Sequence, residues 1–152
     1  MKRLAIVAAL AFATVPPSHA EDKPLGAVPG LGEIMTLTQM RHLKLWFAGS
    51  QKNWELAAYE LDELREGFDD VVTYYPTKDG VAVGQMVKDV TPGPLEQLKA
   101  AVEAKNAGKF AVAFDKLSAA CNSCHKGTNH GFIVIRRPTE SPYSNQSFAP
   151  SK

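Results

Sequence analysis

Cysteine is scarce in this chain of 152 residues: there are two, Cys121 and Cys124. A bridge between residues three apart closes a very small ring and stabilises little, so a disulfide scaffold is excluded and the core must hold by apolar burial. An excess of charge of one sign is also missing. Seventeen basic residues face sixteen acidic ones, for a formal net charge of +1, and no basic cluster interrupts the balance. That argues against nucleic acid or an anionic membrane as partner. Internal repeats and low-complexity tracts are absent. No nucleophile with an adjacent base marks the chain as a hydrolase, and no methionine follows Met86.

Long apolar runs are missing too, except at the start. Lys2 and Arg3 precede an apolar stretch from Leu4 to Val15, which ends in the small-residue triplet Ser18-His19-Ala20. This is the pattern of a secretory signal peptide over 1-20, cut between Ala20 and Glu21. The stretch is too short for the roughly 20 residues of a membrane span, so no membrane insertion is expected after cleavage. Loss of Lys2 and Arg3 turns the net charge of +1 into about −1. The remainder, 21-152, suits one domain with one core.

Four helices are expected within it. From Gly32 to Ala48, apolar residues recur at Ile34, Leu37, Met40, Leu43 and Phe47, with a second row at Met35, His42, Leu45 and Trp46. Intervals of three and four are helical, and Gly49 and Ser50 are read as the stop. Asn53 is placed to cap a second helix, in which Trp54, Ala57, Ala58, Leu61, Leu64, Phe68, Val71 and Tyr75 share one side. Residues 76-93 read as a loop. Thr91 and Pro92 then open a third helix that Gly108 ends, and a fourth, from Lys109, buries Phe110, Ala113, Phe114, Leu117 and Ala120 and stops at Gly127. The expected fold is therefore all-α, an antiparallel four-helix bundle with an irregular C-terminal extension from about 127. That extension has no helical period; it reads as an extended strap with Phe132, Ile133 and Ile135 partly buried and a frayed end.

The chemistry lies where the fourth helix ends. Cys121, Asn122, Ser123, Cys124 and His125 form C-x-x-C-H, the attachment signature of a c-type haem. Each thiol adds across one porphyrin vinyl group, and the adjacent histidine supplies the proximal iron ligand. Three other chemistries use the same residue types. A thioredoxin-type dithiol wants a βαβ context, a zinc site wants a second pair of ligands, and a plain disulfide meets the ring-size objection.

A C-x-x-C-H motif on the last helix of an exported four-helix bundle resembles the class II c-type cytochromes, the cytochrome c-prime group and its low-spin relatives. The resemblance covers roughly Gly32 to Lys126 and rests on Cys121, Cys124 and His125. It departs at the end, because those proteins finish within a turn or two of the haem histidine whereas this chain continues to Lys152. The resemblance implies one covalent haem c, and a homodimer through the first two helices is what such relatives often form. It also implies that the residue opposite His125 comes from the first helix, a methionine in the low-spin proteins and a non-ligating apolar residue in the five-coordinate ones.

If the first and last helices run antiparallel, His125 lies beside the first half of the first helix. Met35 is the first choice for the distal ligand. Met40 lies about 7 Å and His42 about 10 Å further along, at a rise of roughly 1.5 Å per residue. His130, folding back from the tail, is a further candidate, and an open iron is the remaining one. Arg41, Lys44, Lys126, Arg136 and Arg137 are near enough in sequence to neutralise haem propionates, although solvated surface is the commoner fate of such charges.

The function expected from these residues is one-electron transfer in the periplasm between redox protein partners, by a carrier rather than an enzyme. The rival is a five-coordinate cytochrome c-prime-like protein that binds nitric oxide or carbon monoxide. A haem peroxidase, with His42 as polar distal group, is the third class.

Overall fold

The computed structural model describes residues 26–151, so the expected signal peptide lies outside the described residues. The described chain is all-helical, with five helices: α1 (Leu31–Ser50), α2 (Trp54–Tyr74), α3 (Val83–Val90), α4 (Pro92–Glu103) and α5 (Ala107–Gly127). Among the described residues there is no strand beyond an isolated bridge between Lys78 and Val81. No described helix is long and apolar enough to cross a membrane.

The helices start and stop for identifiable reasons. Asn53 caps α2 as expected, its side chain accepting from the Leu56 amide, and Asn106 caps α5 in the same way through Lys109. α1 ends at Ser50, within the expected stop, and the chain reverses at Lys52, whose φ is 61°, while Gly49 is itself a helical residue. Gly49 is buried, and its missing Cβ leaves room for the ring of Phe110. Gly108 is not a stop: α4 ends at Glu103, Lys105 takes the left-handed conformation, and Gly108 sits in the first turn of α5.

The segment expected as a loop contains α3. Val83, Gly84 and Val87 are its buried residues, and Gly84 lets the helix lie against the backbone at Val72 and Pro76. Thr91 joins α3 to α4 rather than capping α4 with its side chain. Its hydroxyl donates to the Val87 carbonyl at 2.9 Å and so closes the end of α3.

The core runs between the helices. Leu45, Leu64, Val71, Leu98, Phe110, Phe114 and Leu117 are the largest fully buried side chains, each contributing about 1.5–3 kcal/mol relative to exposure. Along α1 the buried residues are Ile34, Thr38, His42, Leu45, Ala48 and Gly49, so the face carrying Leu37 turns outward, with Leu37 48% exposed. On α2, Ala58 is exposed whereas Glu60 is buried. Successive residues of α1 meet α5 in reverse order: His42 touches Ser118, Trp46 lies tilted against Phe114, and Gly49 meets Phe110. The two helices therefore run in opposite directions where they touch.

After Gly127 the chain doubles back along α5. Phe132 is 79% exposed, contrary to the expectation of partial burial, while Ile135 is half-buried. The far end is not frayed. Phe148 is buried against Phe47, and the Asn53 side chain donates to the Ala149 carbonyl.

Candidate functional site

The end of α5 that carries the motif opens onto a cavity of about 590 Å³, within the ~300–1,000 Å³ range typical of cofactor sites. Four parts of the fold wall it. Met35, Thr38 and His42 come from α1; Leu64, Phe68 and Val71 come from α2; Val83, Val87 and Val90 come from α3; Cys121, Cys124 and His125 come from α5. The chain after α5 closes the rim with His130, Ile133 and Ile135. Of the residues singled out in the sequence, Cys121, Cys124, His125, Met35, His42 and His130 all line this one space, and Met40 does not.

Both cysteines are free thiols with elevated pKa values. Burial, then the neighbouring Cys124, pushes Cys121 up to about 12, and burial raises Cys124 as well. They also sit in the last two turns of α5, where the helix dipole disfavours negative charge. A catalytic dithiol needs the opposite setting, a depressed pKa near a helix N-terminus or a cation. Among the described residues no three His, Cys, Asp or Glu side chains are grouped as a metal site would require.

His125 has one ring nitrogen engaged. Its Nδ1 lies 2.9 Å from the Ile133 carbonyl oxygen, which can only accept, so Nδ1 carries a proton and Nε2 is the nitrogen left to ligate. Such a bond fixes tautomer and ring orientation in metal-ligating histidines. Thr128 secures the turn behind it, its hydroxyl donating to the Cys124 and His125 carbonyls, and the His130 amide also donates to the His125 carbonyl. His130 itself is exposed at the rim, its Nδ1 donating to the Thr128 carbonyl at 2.7 Å.

His42 is 5% exposed, and its ring lies 4.3 Å from that of Phe114. Its Nε2 is 2.9 Å from the Ser118 hydroxyl, which already donates its only proton to the Phe114 carbonyl. Nε2 is therefore the donor and Nδ1 carries the lone pair. Among the described residues Nδ1 has no hydrogen-bond partner, yet it is not among the fully buried unpaired atoms, which fits a nitrogen bordering the open space of the cavity that His42 lines. Burial lowers the pKa of His42 to about 4, keeping the ring neutral.

Most of the cations proposed for propionates are engaged elsewhere. Arg41 pairs with Glu63, Lys44 lies between Glu60 and the face of Tyr143, and Arg137 grips Asp115 while covering Trp46. The lysine that lines the cavity is Lys78, beside Asp79. Sequence reasoning missed it, together with the valines of α3, the Ser118 hydroxyl and the Ile133 carbonyl. For α3 a signal existed, since Val83, Val87 and Val90 recur at intervals of four and three. The other three depend on tertiary contacts that no local pattern carries.

A second concavity, about 440 Å³ between α4 and α5, has only Lys109 and Lys116 as ionisable lining residues. No protein-family model matches the chain, and no curated protein or solved structure does either.

Proposed function

We propose that the chain is a c-type cytochrome of the class II kind, an exported one-electron carrier with a single haem linked to Cys121 and Cys124. The observation that carries this reading is the convergence of both thiols, His125 and Met35 on one largely apolar cavity of cofactor size. The donor set fits the group: two protonated thiols are in the form that adds to vinyl carbons, and the Nε2 lone pair of His125 is free for a metal. When bound, the haem would supply an iron centre able to take up and release one electron.

The residues of the chain do the rest. Cys121 and Cys124 tether, His125 ligates, and Leu64, Phe68, Val71, Val83 and Val87 exclude water from the site. Met35 is the proposed distal ligand, being half-buried on α1 and part of the cavity lining. In this reading α1, α2, α4 and α5 make up an antiparallel four-helix bundle, α3 walls the cavity, and the partners are periplasmic redox proteins. Residues 1-20 would direct export.

A second reading has its own supporting observation, since the apolar walls of the cavity would admit a diatomic gas. In that case the iron has an open sixth position and the protein binds nitric oxide or carbon monoxide.

The test is expression with a c-type haem-attachment system, followed by intact mass and absorption spectra. A mass gain of one haem, retained on denaturation and lost in Cys121→Ala/Cys124→Ala, is expected; a chain that gains no haem overturns the proposal. A low-spin spectrum unresponsive to carbon monoxide, becoming responsive in Met35→Ala, supports the carrier. Rapid carbon monoxide binding by the unmodified protein favours the gas-binding reading.

A further inference from the structure

We propose that the chain beyond α5 is a proximal strap whose Ile133 carbonyl sets the tautomer and orientation of His125, with Asn122 as the positioning residue that holds it. The inference deepens the reading of His125 as an iron ligand and rests on it.

The contacts follow a regular spacing. The side-chain amide of Asn122 makes two bonds to one residue of the strap: Nδ2 donates to the Ile135 carbonyl at 2.8 Å, and Oδ1 accepts from the Ile135 amide at 2.7 Å. Two residues before Ile135 is Ile133, whose carbonyl accepts from His125. In extended backbone, the N–H and C=O of one residue point to the same side, and those of residues two apart point together. The two bonds of Ile135 to Asn122 thus hold the strap on α5 two residues from the Ile133 carbonyl, which faces α5 as well. Exposure agrees with this alternation, at 67% for Val134 and 79% for Phe132 against 40% for Ile133.

Asn122 suits this task better than its neighbours in chemistry. It offers a donor and an acceptor side by side, which match the acceptor and donor of a single extended residue. Aspartate lacks the donor, and alanine lacks both. Further along, Arg137 binds Asp115 through two nitrogens at 2.6 and 2.7 Å, and Phe148 is buried on Phe47. The strap is thus fastened at three points beyond the carbonyl that matters. An acceptor on Nδ1–H makes the imidazole a stronger donor at Nε2, which favours the more oxidised state of a bound metal.

Full-length protein carrying Asn122→Ala or Asn122→Asp would be compared with the unmodified chain and with Arg137→Ala, which loosens the strap without touching Ile135. The first readout is hydrogen exchange of the His125 Nδ1 proton by nuclear magnetic resonance, which applies whether or not haem is attached. The second is the midpoint potential of the haem form. Faster exchange and a positive shift of the potential are expected in Asn122→Ala, with Asn122→Asp intermediate and Arg137→Ala close to the unmodified protein. Unchanged exchange and potential in both Asn122 variants would overturn the proposal. So would an equal response in Arg137→Ala, since it would assign the effect to general loosening. Should Asn122→Ala fail to fold, Asn122→Asp decides alone. A chain that attaches no haem defeats the cytochrome reading, while the proton exchange still reports on the strap.

Discussion

The seam between α1 and α5 has two ends built on opposite plans. At the end holding Gly49, Trp46 and Trp54, the rings of Phe110 and Phe114 fill the space, with Trp46 and Phe114 centroids 5.0 Å apart and Trp54 edge-on to Phe110. At the other end the same two helices carry Met35, Thr38, His42, Ser118 and the motif, and a cavity of about 590 Å³ opens between them. His42 is the border, one face on Phe114 and Nδ1 toward the cavity. The difference teaches that the cavity follows from what the side chains fill, with large rings at one end of the seam only. It begins where the rings of Trp46, Phe110 and Phe114 give way to His42, Thr38 and Met35, so that one end is filled while the other leaves volume for a ligand.

The largest effect should come from opening the closed end. Phe110 is 1% exposed, and Phe110→Ala removes a ring that four aromatic and glycine neighbours enclose, at a cost of about 3–5 kcal/mol. Urea denaturation measures this. The contrast between the ends predicts that the variant, where folded, still attaches haem and keeps its spectrum. A spectrum altered as strongly as in a motif variant would mean that the two ends are not separate. Gly49→Ala tests the same packing from the other side, because its Cβ meets the Phe110 ring, and overpacking of that kind costs about 1–3 kcal/mol.

Acid should act on the border residue. His42 is held neutral by burial with a pKa of about 4 against an ordinary 6.5, so the unfolded chain takes up a proton that the folded chain refuses. The stability at stake is fully present above pH 6.5 and is lost progressively as the pH falls toward 4, amounting to about 3 kcal/mol. Unfolding free energies measured across that window should fall with pH, and His42→Leu should flatten the slope. A slope unchanged in His42→Leu would sink the assignment.

A smaller effect is expected from Ser118→Ala. The His42 Nε2–H would lose its acceptor at 2.9 Å in a site closed to water, costing about 1–3 kcal/mol. The lone pair would then no longer be confined to Nδ1, so tautomer-sensitive nitrogen shifts of His42 should change as well. Loss of stability without any change in those shifts would show that Ser118 serves packing only.

Much of this molecule was legible as pattern. The buried stripe of α2, the Asn53 cap and the end of α5 at Gly127 follow from periodicity and terminal chemistry, because each is a local property. Cys121, Cys124, His125, Met35, His42 and His130, all singled out in the sequence, line one cavity, whereas Met40 does not. What failed was punctuation. Gly84 and Gly49 look like breakers, yet both are helical residues chosen for close approach to a neighbour, and approach is a tertiary fact. Thr91 looks like a cap, but its hydroxyl is already engaged at the end of α3. The strap was the least legible part. Phe132, Ile133 and Ile135 suggest burial by composition, whereas Phe148 is the ring that anchors it, and nothing near Phe148 in sequence marks Phe47 as its partner.

The smallest effect concerns the strap's most conspicuous contact. Arg137 makes two short bonds to Asp115, a third to the Ala111 carbonyl, and lies 4.7 Å over Trp46, so by appearance it should dominate. Both partners are exposed, at 42% and 55%, and exposed pairs contribute about 0–1 kcal/mol even with good geometry. Arg137→Ala should therefore lower stability by less than about 1 kcal/mol in urea titrations, and less again at high salt, where the pair is already screened. A loss of several kcal/mol would move the strap's principal anchor from Phe148 to Arg137. It would also tie the strap to the closed end through Trp46, so that the two ends of the seam would no longer be independent.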